Sequence, residues 1–101
     1  MGEIISSKVR EDGKVVFEVA VGYEEAKQLK GHLNKIHIFS EDVADIESNI
    51  AQRGKNDATK YFLIPKELRK NLKISNMPVG CQKIETNSKC IFIYVIDKSN
   101  M

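Results

Sequence analysis

The longest apolar run in the chain is Cys90-Ile91-Phe92-Ile93-Tyr94-Val95-Ile96. It is about a third of the ~20 residues that span a bilayer, but it has the length of a β-strand. A strand apolar on both faces has to be covered twice, by a partner sheet or by another subunit. Asn87-Ser88 supplies a turn just before it, so residues 82–86 and 89–97 are predicted to close a hairpin. In that register Cys81 lies opposite Tyr94 and Cys90 opposite Glu85, too far apart for an intrachain disulfide.

The rest of the chain is punctuated in the same way. Residues 3–10 and 14–21 alternate loosely around Asp12-Gly13, which predicts an N-terminal hairpin with a type I′ turn. Tyr23, Ala26, Leu29 and Leu33 have helical spacing, and Gly31 predicts that this helix stops near Lys30. Residues 35–39 alternate as a short strand, with His37 on the face of Phe39. Ser40 is placed to cap a helix over residues 41–52, buried through Val43, Ile46 and Ile50 and ended by Gly54. Residues 53–57, Arg-Gly-Lys-Asn-Asp, read as a linker or a binding loop. A strand over 59–64 follows, then Pro65 at the entrance of a helix over 66–72 whose Leu68 and Leu72 share one face. Strand–helix–strand therefore occurs twice, over 15–39 and 60–84, which is compatible with a degenerate tandem repeat or with coincidence.

Charge divides the chain unequally. Residues 1–50 hold six Lys/Arg against ten Asp/Glu, and residues 51–101 hold ten against four, so an overall +2 conceals −4 and +6. The expected organisation is an acidic half over 1–52, with hairpin, helix, strand and a following helix, and a basic strand–helix–hairpin half over 53–101. The fold class is α+β.

Thr59-Lys60-Tyr61-Phe62-Leu63-Ile64-Pro65-Lys66-Glu67-Leu68-Arg69-Lys70-Asn71-Leu72-Lys73-Ile74 resembles the swapped-hairpin DNA-binding domain of the AbrB/SpoVT family. The shared pattern is a strand ending in Ile-Pro, then a Lys-Glu-Leu-Arg helix, a terminal Leu and Ile, and a closing pair of strands. It covers residues 53–97. Lys73 stands where the family commonly has Gly, Thr59-Lys60 where it has Gly-Arg or Gly-Lys, and the turn before the last hairpin is longer. Ser7-Lys8-Val9 and Gly13-Lys14-Val15-Val16, followed by Tyr23-Glu24-Glu25-Ala26, resemble the opening of the same domain more faintly. The resemblance implies a small swapped-hairpin β-barrel with short helices. If both halves are copies, one chain forms a tandem pseudo-dimer; if only the second is, two chains exchange hairpins as a homodimer.

Leu68 and Leu72 turned inward would leave Lys66, Arg69 and Lys70 facing solvent together. With Lys60 on the strand and Arg53 and Lys55 in the loop, they form a surface that phosphates would bind by counterion release. The resemblance implies a DNA-contacting role for Lys60, Arg69 and Lys70, with Arg53 and Lys55 corresponding only through their loop. A plain solvated helix face is the alternative. Tyr61, Phe62 and Tyr94 read as packing residues rather than base-stacking ones.

Nothing in the sequence assembles a catalytic constellation: His32 and His37 stand apart, and Glu24-Glu25 and Glu41-Asp42 sit where helix starts attract carboxylates. Neither an enzyme, a metal site nor a cofactor is expected. With no signal pattern at the N-terminus, a cytoplasmic location is expected. The expected role is duplex DNA binding in transcription regulation or chromatin. The rival is a protein-interaction module, antitoxin-like or adaptor, whose acidic half recruits a basic protein.

Overall fold

The computed structural model describes residues 1–101, apart from the side chain of Asn100. Its chain order is β1 (Glu3–Val9), β2 (Val15–Ala20), α1 (Tyr23–Lys27), β3 (Ile50–Arg53), β4 (Thr59–Phe62), α2 (Lys66–Arg69), β5 (Gly80–Glu85) and β6 (Cys90–Val95), with single 3₁₀ turns at Glu41–Val43, Lys55–Asp57 and Lys98–Asn100. The strands pair only with their neighbours, as three two-stranded antiparallel sheets, β1–β2, β3–β4 and β5–β6. The fold is α+β, and no closed barrel occurs among the described residues. No helix among them is long and apolar enough to cross a membrane.

The chain groups into two units, Met1–Ile36 with Pro78–Ile96, and His37–Met77 with Asp97–Met101. In the first, β1 and β2 run from Val9 opposite Val15 through Ser7 opposite Phe17 to Ile4 opposite Val19, with a bulge that leaves Ile5 unpaired between Ile4 and Ser6. The loop is not the type I′ turn that Asp12-Gly13 predicts. Gly13 alone has a positive φ, 84°. The amide of Gly13 donates to the carbonyl of Arg10 and that of Arg10 to the carbonyl of Lys14, closing a three-residue loop with glycine at its left-handed position.

β5 and β6 pair from Gly80 opposite Val95 to Glu85 opposite Cys90, with Cys81 opposite Tyr94, as the sequence predicts. The amide of Thr86 donates to the carbonyl of Lys89, and the Thr86 hydroxyl accepts from the amides of Ser88 and Lys89. Double coverage of β6 is absent: Phe92, Tyr94 and Val95 keep about half or more of their surface exposed, while Ile91 and Ile93 are half-buried. The helix expected to reach Lys30 is regular only to Lys27 and continues as tight turns to Lys30 and Gly31, both left-handed.

Two expected elements are not formed. Residues 35–39 make no strand, because Lys35 has a φ of 58° and no strand lies beside them to complete a ladder. The helix over 41–52 is replaced by the 3₁₀ turn and by β3. Ser40 does cap the turn, accepting from the amide of Asp42 at 3.4 Å. Glu41, Asp42 and Asp45 would repel one another at i,i+3 and i,i+4 on a longer helix, and β-branched Val43, Ile46 and Ile50 do not favour it. β3 joins residues 50–52 to Arg53 in one strand, and the 53–57 stretch becomes part of a hairpin rather than a linker.

No described residue is buried in the single chain. Leu68 and Leu72, expected to anchor α2 inward, stay exposed. Of the hairpins expected from the sequence, β5–β6 keeps its predicted register, whereas β1–β2 is displaced by its three-residue loop and its bulge.

Candidate nucleic-acid interface

All six predicted contact residues lie in the second unit, on β3–β4 and on α2 with its C-terminal flank. The hairpin pairs Ile50 with Phe62, Ala51 with Tyr61, Gln52 with Lys60 and Arg53 with Thr59. The Leu63 amide donates to the Asn49 carbonyl, and the Ser48 hydroxyl also donates to the Leu63 carbonyl, which ties the base of the hairpin. At the tip Gly54, Asn56 and Asp57 take positive φ values of 90°, 59° and 52°, and the amide of Asp57 donates to the Gly54 carbonyl. Gly54 fits because a left-handed backbone suits a residue without Cβ, and Asn and Asp are the side-chain-bearing residues that tolerate it best.

Directly opposed residues share a face of an antiparallel pair, so Lys60 and Gln52 lie on one side of the hairpin and Arg53 and Tyr61 on the other. The Lys60 ammonium donates to Gln52 Oε1 at 3.2 Å and to the Asp57 carbonyl at 3.4 Å. It is thus drawn back along the tip while its charge stays uncompensated. The Arg53 guanidinium lies 5.8 Å from the centroid of the Tyr61 ring. Such a contact contributes ~0.5–1 kcal/mol at an exposed site and keeps the cation extended over a flat surface. Lys55 stands at the tip between the two faces.

α2 is a single turn. Pro65, at φ −58° and ψ 151°, occupies its cap position, where its missing amide hydrogen costs nothing. Lys70 already has an extended backbone and Asn71 a φ of 64°, so the helix ends three residues before the predicted Leu72. Lys66, Arg69 and Lys70 nevertheless meet, together with Glu67, around one shallow open depression. Ion pairs join Met1 to Glu25, Arg10 to Asp12, Lys27 to Glu24 and Lys83 to Glu85, and none of these engages any of the six cations.

The predicted set therefore divides into a hairpin-tip group, Arg53, Lys55 and Lys60, and a turn group, Lys66, Arg69 and Lys70. The sequence reading missed Gln52 and the Arg53–Tyr61 pairing. Both were concealed by the helix assigned to residues 41–52; once 50–53 is a strand, alternation finds them. His32 and His37 are exposed, and no three His, Cys, Asp or Glu side chains converge on a common point among the described residues. No protein-family model, curated protein or solved structure matches this chain.

Proposed function

We propose that this protein binds duplex DNA without catalysis, as a homodimeric transcription regulator or chromatin-type protein of AbrB-like design. The observation that carries this reading is the grouping of six cations on β3–β4 and around α2, none of them engaged by the ion pairs described above. Phosphates release condensed counterions when they meet such groups, and Arg69 has the planar donor fork that can grip a phosphate or guanine bidentately. The order β3, β4, α2, β5, β6 over residues 50–95 supports the resemblance of the C-terminal part to the swapped-hairpin family. Of the strand–helix–strand repeat expected over 15–39 only β2 and α1 are formed, so the reading retained is one copy of the domain per chain. Barrel closure in this reading takes strands from a second chain.

The test is fluorescence anisotropy of a labelled duplex across a salt series. Affinity is expected to fall linearly on logarithmic axes, and Arg69→Ala with Lys70→Ala should weaken every duplex alike and flatten the salt slope by about two. Absence of any shift at low salt with excess protein refutes DNA binding.

A protein-interaction role has its own support in the segment Glu41-Asp42-Val43-Ala44-Asp45-Ile46-Glu47. There Val43 and Ile46 are exposed beside four carboxylates, a composition suited to a basic, partly apolar partner. DNA binding lost with the cation variants but retained after Glu41→Lys and Asp45→Lys would separate the two surfaces.

A further inference from the structure

We infer, resting on the duplex binding proposed above, that the open face of the β3–β4 hairpin selects the DNA sequence, with Gln52 hydrogen-bonded to the major-groove edge of an adenine and Phe62 against the C5-methyl group of its thymine. Cross-strand register sets Gln52 beside Lys60 and, two residues along, Ile50 beside Phe62 on the same side of the hairpin. That side is the open one: Ile50 is 59% and Phe62 45% exposed, and Gln52 and Lys60 are exposed with them. Ala51 and Tyr61 on the opposite side are half-buried. The major groove of a B-form duplex admits a two-stranded ribbon, and the open side is the one that can meet the base edges there.

Chemistry selects the base. Gln52 is neutral and releases no counterion, so it adds nothing to the salt-dependent affinity. It carries donors on Nε2 and an acceptor on Oε1, the complement of adenine, which offers N7 as acceptor and its N6 amino group as donor along one edge. The Lys60 ammonium donates to Gln52 Oε1 at 3.2 Å. An ammonium can only donate, so Oε1 is the amide atom turned toward Lys60, and Nε2, which diverges from the same carbon, is turned away. Lys60 thereby acts as a positioning residue, and the second lone pair of Oε1 is available to the adenine amino group.

The apolar pair completes the match to the same base pair. Thymine presents its C5-methyl group in the major groove opposite adenine, and an apolar ring such as that of Phe62 suits it. A G·C pair in that place offers guanine N7 and O6, both acceptors, and no methyl group. Gln52 Oε1 and Phe62 then both lose their partners, while Lys55 at the hairpin tip is indifferent to the change.

The experiment uses the full chain and duplexes selected by it from a random library. Selected sequences should share a fixed A·T position, and changing that position to G·C should weaken binding about 5- to 150-fold. Replacing its adenine by 7-deazaadenine, or its thymine by uracil, removes one partner group without touching the protein, and each replacement should weaken the native chain several-fold. Gln52→Ala should abolish the 7-deazaadenine effect and level the preference at that position, whereas Lys55→Ala should weaken every duplex alike. Absence of duplex binding by the native chain overturns the DNA reading and this contact with it. Binding without a fixed A·T position, indifference of the native chain to either base replacement, or a preference that Gln52→Ala leaves intact overturns the contact and leaves DNA binding standing.

Discussion

Gly13 sits at φ 84°, and a Cβ built there meets nothing within 4 Å. Gly13→Val should therefore destabilise the first hairpin through backbone conformation alone, by about 1–2 kcal/mol, and Gly13→Asn by less. The shift in the urea midpoint, with an unchanged slope, checks this. Lys83 and Glu85 lie two apart on one face of β5, with Nζ and Oε1 2.8 Å apart. The hydrogen bond from Lys83 holds the Glu85 carboxyl below its usual range, and the same bond holds the Lys83 ammonium above its own. The signs bracket a window. The contribution of Glu85 is present above the ordinary carboxylate range and is lost as pH falls through its lowered value, while that of Lys83 is present below the ordinary lysine value and is lost as pH rises through its raised one. Glu85→Gln should return the Lys83 titration, followed by NMR, toward its ordinary position. Both groups are exposed, so thermal stability should barely move. At this scale the sequence is well read: Ser40 caps, Gly31 turns left-handed, Pro65 opens α2, and the cysteines fall opposite the predicted partners. The first three follow from the intrinsic geometry of one residue, and the cysteine positions follow from the register that one short turn sets.

Elements are less legible, because their length depends on what they touch. α1 is held by Gln28, whose side-chain amide donates to the Glu85 carbonyl at 3.1 Å and accepts from the Glu85 amide at 3.2 Å. One side chain thus occupies the place of a neighbouring strand at the free edge of β5. Gln28→Ala should accelerate hydrogen exchange at the Glu85 amide while leaving the amides that pair β1 with β2 unchanged. Nothing in the spacing of residues 23–33 announces that bond, since its partner lies 57 residues away. β3 was hidden for a related reason. Ile50-Ala51-Gln52-Arg53 becomes a strand only through its ladder to residues 59–62, across a tip whose polar composition reads equally well as a linker. α2 is shorter than its leucine spacing suggests because Leu68 and Leu72 meet no packed surface in the single chain to reward another turn.

For the whole molecule, the contrast between halves dissolves in space. Each of the two units holds eight Lys/Arg and seven Asp/Glu, because the acidic run at 41–47 belongs to the same unit as β3–β4 and α2. Charge there is segregated by element, not by unit, so a DNA surface in this unit would be bounded by a repelling segment a few residues away in sequence. If the proposed homodimer covers the apolar side chains that the single chain leaves exposed, its melting temperature should rise by several degrees over a hundredfold increase in protein concentration, measured by circular dichroism. Nearest-neighbour strand pairing also sets a tempo. Every strand here finds its mate across a short turn, so the sheets form within microseconds by a first-order process. In the proposed homodimer apolar coverage then waits on an encounter between molecules, and the slow phase of refolding should double its rate when the protein concentration is doubled.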